Sequence, residues 1–122
     1  MPNDSADVTH VLVAEDSPAQ AQLIGEALTE AQPLWQVKLA RNGAECRRCL
    51  DDESCDALVL DYVLPDEDGL SLLRSARERF PDMVIVFMTA FGGEEVAVEA
   101  LRAGADEYVA KTGSWIEVLS VA

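Results

Sequence analysis

Five short apolar runs alternate with segments of helical periodicity along this chain, and this alternation restricts its fold more than any other feature. The runs cover residues 10–14, 35–40, 57–60, 83–88 and 107–110. Runs one, three and four are almost continuously apolar, which is typical of parallel strands covered on both faces. Run two is the most polar, which suits a strand at the edge of a sheet.

The segments between these runs carry the start and stop signals of helices. Ser17 followed by Pro18 places a capping residue before a proline at the first helical position. Pro33 is expected to end that helix, and Gly104 to end the fourth. Further helices are predicted over residues 44–52, 70–80 and 94–103, and a fifth from Trp115 to Ala122.

Strands that alternate with helices five times predict an α/β fold. We expect a doubly wound (βα)5 flavodoxin-like sandwich, with three layers around a parallel sheet. Right-handed crossovers and a central first strand give the strand order 2-1-3-4-5. Residues 1–8 are polar and aperiodic and are expected to be a disordered N-terminal tail, whereas residues 9–122 are expected to form one domain.

The charge of the chain excludes some classes of partner. Nine lysines and arginines stand against 23 aspartates and glutamates, which gives a formal net charge of -14. A surface this acidic repels nucleic-acid phosphates and anionic lipids, so we expect no direct binding to nucleic acid or to membranes. The cysteine count is odd and no secretory signal precedes the cysteines, which favours a cytoplasmic location.

Polar side chains stand at the carboxyl ends of four predicted strands. Glu15 and Asp16 follow the first strand, Asp61 follows the third, and Thr89 and Lys111 close the fourth and fifth. Sites in open α/β sheets form beyond these ends, so we expect the five side chains to lie together. Each residue alone has an ordinary structural explanation, such as a helix cap or a solvated lysine. The set, in this order, is much more specific.

This set of residues suits phosphoryl transfer. Three adjacent carboxylates repel one another, and a hard divalent cation with oxygen ligands, Mg²⁺ in particular, relieves the repulsion. An aspartate can then act as the nucleophile toward phosphorus, while the lysine and the metal stabilise charge on the transferring oxygens. A threonine hydroxyl can donate a hydrogen bond to the acyl phosphate that results.

Four sequence segments carry a family resemblance. They are Glu15-Asp16-Ser17, residues 61–69 (DYVLPDEDG), Met88-Thr89-Ala90 and residues 103–111 (AGADEYVAK). With these motifs the chain resembles the receiver domains of two-component signalling, from about His10 to its end. The resemblance implies a CheY-like response regulator whose Asp61 takes a phosphoryl group from a histidine kinase or a phosphotransfer protein.

The same resemblance implies a role for each matched residue. Asp16, Asp61 and the backbone carbonyl of Val63 would bind Mg²⁺, and Glu15 would assist through water. Lys111 would pair with the phosphoryl group. Thr89 and Tyr108 would switch rotamers on phosphorylation. Catalysis would be limited to the chain's own phosphorylation and dephosphorylation, so we do not expect an enzyme with a separate substrate.

The resemblance also implies partners. The last predicted helix reaches residue 122 without a stop signal, so the sequence looks cut from a longer multidomain protein with a C-terminal output domain. A homodimer through the face of helix four, strand five and helix five is a further expectation. The phosphoryl donor would be a kinase or phosphotransfer protein in the cytoplasm.

One residue departs from the family pattern. The family usually has proline after the lysine, joined by a cis peptide bond, whereas Thr112 follows Lys111 here. A cis bond before a residue other than proline costs about 2.5–4 kcal/mol. We therefore expect either a trans Lys111–Thr112 bond or a strained cis bond.

Three other functions compete with this interpretation. A haloacid-dehalogenase-type phosphatase needs a second aspartate two residues after the nucleophile, where this chain has Val63. A dinucleotide-binding module needs a Gly-x-Gly-x-x-Gly motif after the first strand, which is absent. A silent receiver usually lacks one of the acidic residues or the lysine, and this chain has all of them.

Val63 and Phe91, both bulky and apolar, are predicted to restrict water beside the acceptor and to slow dephosphorylation.

Overall fold

The computed structural model describes residues 9–52, 55–90, 93–112 and 115. Within them strands and helices alternate as β1 (Thr9–Ala14), α1 (Pro18–Ala31), β2 (Trp35–Ala40), α2 (Gly43–Asp52), β3 (Ala57–Asp61), α3 (Gly69–Arg79), β4 (Val84–Thr89), α4 (Glu94–Ala103) and β5 (Glu107–Ala110). All strands are parallel, in the order β2-β1-β3-β4-β5. The predicted flavodoxin-like α/β fold and its strand order are therefore confirmed.

Some predictions concern residues outside the described part of the chain. These are the tail over residues 1–8, Phe91, and the fifth helix beyond its first residue, Trp115. Trp115 itself has helical conformation. Where the predicted bounds can be compared, they agree with the observed ones to within one residue. β3, for instance, ends at Asp61, so that the carboxylate belongs to the strand itself.

The sequence signals for the ends of helices have visible counterparts. The Ser17 hydroxyl oxygen accepts a hydrogen bond from the backbone N–H of Gln20 at 3.3 Å, which caps α1. The Asp68 carboxylate caps α3 in the same way through the N–H of Leu70, at 2.8 Å. Gly104 ends α4 with φ of 116°, a left-handed conformation that glycine adopts without strain.

The sheet separates two apolar cores, which explains why its central strands are apolar at successive positions. Alternate residues point to opposite faces of a strand. One face carries Leu12, Ala14, Leu58, Leu60, Ile85 and Phe87, and it packs with residues of α2, α3 and α4. The other face carries Val11, Val13, Val59, Val86, Met88 and Val109, and it packs with α1 and Trp115. Because both faces are covered, the polar side chains that could carry chemistry are confined to the ends of the strands.

The cysteines belong to the first of these cores. Cys46 is fully buried, and Cys49 and Cys55 pack against the same cluster with free thiols. Burial raises the pKa of Cys46 to about 12, which keeps its thiol protonated and unreactive.

In the described part of the chain, none of the helices has the length and apolar character needed to cross a bilayer.

Candidate functional site

The carboxyl ends of β1, β3, β4 and β5 bring the predicted site residues to one edge of the sheet. Glu15 and Asp16 directly follow β1, and Asp61 is the last residue of β3. Thr89 is the last residue of β4, and Lys111 directly follows β5. The parallel register fixes their level, since Asp61 pairs with Met88 and Thr89 pairs with Ala110.

Three carboxylates meet at this edge. Glu15, Asp16 and Asp61 each offer an oxygen, and these oxygens lie within 4.8 Å of one another. Glu15 and Asp61 are buried, at 1% and 6% exposure, whereas Asp16 is exposed to solvent. A cluster of hard oxygen donors that is open on one side fits Mg²⁺, which keeps several waters when it binds to proteins.

Lys111 supplies positive charge inside the same cluster. Its ammonium nitrogen lies 2.5 Å from Oε1 of Glu15 and 3.3 Å from Oδ2 of Asp61. The side chain of Lys111 is only 5% exposed, so these ion pairs are shielded from water. Lys111, Glu15 and Asp61 therefore form a compact buried ionic group.

Glu15 is the counter-ion of Lys111 in this structure. Its Oε1 accepts from the lysine, and its Oε2 accepts from the backbone N–H of Ser17 at 3.1 Å. Both carboxylate oxygens therefore already have protein donors. The structure adds this pairing to the predicted role of Glu15 as a water-mediated metal ligand.

The surroundings of Asp61 disfavour its charged form. Burial, followed by the negative charge of Glu15, raises the pKa of Asp61 from 3.8 to about 6, and Lys111 opposes the rise. The carboxylate that would attack phosphorus is thus held in a state that additional positive charge would stabilise. A bound divalent cation would supply that charge.

The raised pKa of Asp61 predicts how stability depends on pH. Between pH 3.8 and about 6 the folded chain binds a proton at Asp61 that the unfolded chain releases. The contribution of Asp61 to stability therefore falls as pH rises through this window, and at neutral pH its charge destabilises the folded state. Without divalent cations, Asp61→Asn should stabilise the chain by about 1–3 kcal/mol near pH 7.5 and by much less near pH 4.

Urea unfolding at the two pH values measures this difference. Asp52→Asn is the matched control, because it removes an exposed carboxylate at the end of α2. Equal stabilisation by Asp61→Asn at both pH values would contradict the electrostatic explanation.

Thr89 and Tyr108 occupy the neighbouring strands. Thr89 is buried, at 2% exposure, and its carbonyl accepts the backbone N–H of Lys111 at 2.8 Å. Tyr108 lies opposite Phe87 on β5 and is half-buried against the first apolar core. Thr89 is thus tied through the backbone to the lysine. Tyr108 lies on β5 one residue before Val109, which pairs with Met88 of β4.

The bond after Lys111 is trans. The described residues contain no cis peptide bond, and the N–H of Thr112 donates to the carbonyl of Ala110 at 2.8 Å. Of the two predicted alternatives, the unstrained one applies. Replacement of the family's proline by threonine removes the reason for a cis bond, because only proline makes cis and trans comparable in energy.

The loop after Asp61 approaches the strand end closely. The N–H of Gly69 donates to the carbonyl of Tyr62 at 2.8 Å, and a Cβ at position 69 would lie 2.4 Å from the Asp61 carbonyl oxygen. Val63 forms an isolated antiparallel bridge with Asp68, and its side chain is 49% exposed. The glycine therefore lets the start of α3 lie against the backbone of Asp61 and Tyr62, which closes the loop that carries Val63.

Helix α2 holds the other side of this loop, through contacts that the sequence did not suggest. The Asp66 carboxylate accepts from the N–H groups of Gly43 and Ala44, at 2.7 and 2.9 Å, and these donors lower its pKa. Glu67 forms a two-point ion pair with Arg47, at 2.9 and 2.8 Å. The start of α2 thereby fixes the path of the loop between β3 and α3.

Two further residues contact Lys111 and were missed in the sequence. Gln20 accepts from its ammonium group at 2.7 Å, and the Trp115 ring centroid lies 5.4 Å from Nζ. A polar residue in the first turn of the helix after the acidic pair was the available signal for Gln20. The sequence held no comparable signal for Trp115, because its contact depends on the path of the chain after β5.

Comparison with known proteins places this site in a family. A sequence model described as "Response regulator receiver domain" matches residues 11–121. The transcriptional regulatory protein TrcR of Mycobacterium tuberculosis is 37% identical over 110 residues, which cover 90% of this chain and 42% of TrcR. The chain spans about half the length, or less, of the curated relatives it matches.

Solved structures agree with the sequence comparison. The BeF3-activated receiver domain of DrrB, a response regulator of Thermotoga maritima, superposes with a TM-score of 0.83 at 28% identity, covering 93% of this chain and 92% of that one. A response regulator of Burkholderia pseudomallei, solved with a phosphorylated aspartic acid, a calcium ion and citrate, has a TM-score of 0.80 at 27% identity and covers 92% of this chain and 65% of its own.

Fold, strand-end carboxylates and buried lysine thus occur together with a family match that runs along nearly the whole chain. The sheet order places these groups at the reversal point, where doubly wound folds form their sites. The matched segment includes every residue that lines the site. The chain belongs to the response regulator receiver domains of two-component systems.

Proposed function

We propose that this receiver domain accepts a phosphoryl group on Asp61 from a histidine kinase or a phosphotransfer protein. One observation carries the proposal: the Asp61 carboxylate lies in a cluster with Glu15 and Asp16, with the Lys111 ammonium 3.3 Å away. A nucleophilic carboxylate needs positive charge near the transferring oxygens. Lys111 provides one positive charge, and the three carboxylates offer ligands for a metal ion that would add more.

The proposed reaction forms an oxygen–phosphorus bond and breaks a phosphorus–nitrogen bond. A carboxylate oxygen of Asp61 attacks the phosphorus of a phosphohistidine, and the phosphorus–nitrogen bond breaks with its electron pair leaving on the imidazole. The Lys111 ammonium stabilises the charge on the phosphoryl oxygens during transfer. The Thr89 hydroxyl donates to the aspartyl phosphate that forms.

The residues present fit a magnesium ion. Asp16, Asp61 and the backbone carbonyl of Val63 would hold it, with Glu15 assisting through water. When bound, the ion neutralises the carboxylates and the phosphoryl oxygens, so that the negative nucleophile and the anionic donor approach each other with less repulsion. The exposure of Asp16 gives the ion a route from solvent.

Phosphorylation is proposed to act as a switch. It replaces a carboxylate of charge near -1 with a group nearer -2. Thr89 then turns toward the new oxygens, and Tyr108, which is half-buried in this structure, turns further inward. The face formed by α4 and β5 changes as a result, and with it contacts to a C-terminal output domain or to a second copy of the chain. A cytoplasmic location is part of this proposal.

Removal of the phosphoryl group is proposed to depend on Val63. Its apolar side chain lies two residues beyond the acceptor, and Phe91, outside the described residues, is the second proposed barrier to water. Val63→Asn should shorten the half-life of the aspartyl phosphate about two- to tenfold, because an amide can position a water molecule for attack.

Loss of label after removal of the phosphodonor measures the half-life. Val84→Asn is the control, since Val84 has the same 49% exposure as Val63 but lies at the opposite end of the sheet, at the start of β4. An unchanged half-life in Val63→Asn would remove the proposed barrier role.

Incubation with acetyl phosphate tests the function as a whole. In the presence of Mg²⁺ the intact protein should gain the mass of one phosphoryl group, and excess chelator should prevent the gain. The bond should be labile to hydroxylamine, as acyl phosphates are. Failure to label at any Mg²⁺ concentration, with the protein folded, would overturn the proposal.

A further inference from the structure

The lysine of the site belongs to a closed ring of hydrogen bonds. Lys111 donates to Oε1 of Glu15 at 2.5 Å and to Oε1 of Gln20 at 2.7 Å. The backbone N–H of Gln20 donates to the hydroxyl of Ser17 at 3.3 Å, and the N–H of Ser17 donates to Oε2 of Glu15 at 3.1 Å. The start of α1 thus both builds the helix cap and orients the side chain of Gln20.

The ring leaves the lysine one direction in which to donate a third hydrogen bond. An ammonium group has three protons, and two of them go to Glu15 and Gln20. The third faces Asp61, whose Oδ2 lies 3.3 Å from Nζ. The Trp115 ring covers Lys111 from another side, with its centroid 5.4 Å from Nζ.

The acceptors differ in charge, and this difference gives Gln20 its importance. Glu15 and Asp61 are carboxylates whose bonds to the lysine change in strength when cations or phosphoryl oxygens enter the site. The amide oxygen of Gln20 carries no charge, so its hydrogen bond to the ammonium does not depend on ionisation of the acceptor. A lysine that is 5% exposed also needs this acceptor, because an unpaired N–H there would lose its hydrogen bond to water.

We propose that Gln20 is a positioning residue, which aims the Lys111 ammonium at the Asp61 carboxylate and hence at a phosphoryl group carried there. The inference rests on the proposed function of Asp61. It adds a residue of α1 to the charged groups at the ends of the strands.

Gln20→Met tests the inference, because methionine has similar length and helix propensity but lacks a comparable acceptor. The probe is beryllium fluoride with saturating Mg²⁺, a mimic of the phosphoryl group. We expect its dissociation constant to rise about tenfold, since the lysine loses the hydrogen bond that orients it. The dissociation constant for Mg²⁺ alone should change less than about twofold, because the carboxylates remain.

Gln22→Met is the matched control. Gln22 lies on the same helix, is exposed, and bonds to Glu26 at 3.1 Å, away from the site. The Gln22→Met variant should bind beryllium fluoride as tightly as the unsubstituted chain. A general effect of methionine on α1 would weaken binding in both variants and would overturn the inference.

A second readout observes the lysine directly. The chain has two lysines, Lys38 and Lys111, so an ¹⁵N-detected spectrum of lysine ammonium groups is simple, and Lys38→Arg assigns it. The Lys111 protons should exchange slowly in the unsubstituted chain, rapidly in Gln20→Met, and slowly again in Gln20→Glu, which restores an acceptor.

The outcomes separate this inference from the proposed function. If Gln20→Met keeps both the slow exchange and the affinity for beryllium fluoride, Gln20 has no positioning role, while the function of Asp61 stands. If the unsubstituted chain binds no beryllium fluoride and takes no label from acetyl phosphate, both proposals are wrong.

Discussion

Asp61→Asn should take no phosphoryl group from acetyl phosphate under conditions that label the unsubstituted chain fully. Asparagine replaces one carboxylate oxygen with an NH₂ group and removes the negative charge, and an uncharged amide is a poor nucleophile toward phosphorus. Intact-protein mass spectrometry measures the loss. The variant should also bind Mg²⁺ more weakly, because one of the three clustered carboxylates is gone.

The control for this variant lies just before the same strand. Asp56 precedes β3 and accepts the backbone N–H of His10 at 2.8 Å, far from the site along the strand. Asp56→Asn keeps an acceptor oxygen for that contact and should label normally. Full labelling of Asp61→Asn at another carboxylate would show that the chemistry does not belong to Asp61.

Lys111→Met should have the second large effect, on both stability and phosphorylation. Removing one partner of a buried ion pair leaves the other charge uncompensated, which costs about 3–5 kcal/mol. Glu15 and Asp61, at 1% and 6% exposure, would both lose their nearby cation. The variant should still accept phosphate, but about a hundredfold more slowly, because the transferring oxygens lose a positioned donor.

Magnesium distinguishes the two consequences of this substitution. Since the metal supplies positive charge to the same carboxylates, it should stabilise Lys111→Met against urea more than it stabilises the unsubstituted chain. Lys38→Met, in the edge strand β2, is the control and should change neither stability in this way nor labelling. A Lys111→Met variant that labels at the normal rate would remove the lysine from the proposed mechanism.

The sequence alone was sufficient for the architecture because its signals are local. Apolar residues at every position of runs three and four can be buried only when helices cover both faces of the sheet. Ser17 and Pro18 marked the start of α1, and Gly104 marked the end of α4. Once the strand order followed, the edge where Asp61 would lie was determined too, since parallel strands carry their carboxyl ends to one side.

Only the tertiary structure decided how the side chains pair. Lys111 is 91 residues from Gln20 and 96 from Glu15 along the chain, and no periodicity links such positions. The sequence left two states open for the bond before Thr112, and the structure shows that it is trans.

The contacts between α2 and the loop after Asp61 are of the same kind, because Glu67 meets Arg47 only when that loop lies beside α2. Local patterns determine which residues reach the edge of the sheet, because the backbone period is a property of each segment. The partner of each charge depends on the angles and distances between segments, which arise only when the whole core is packed.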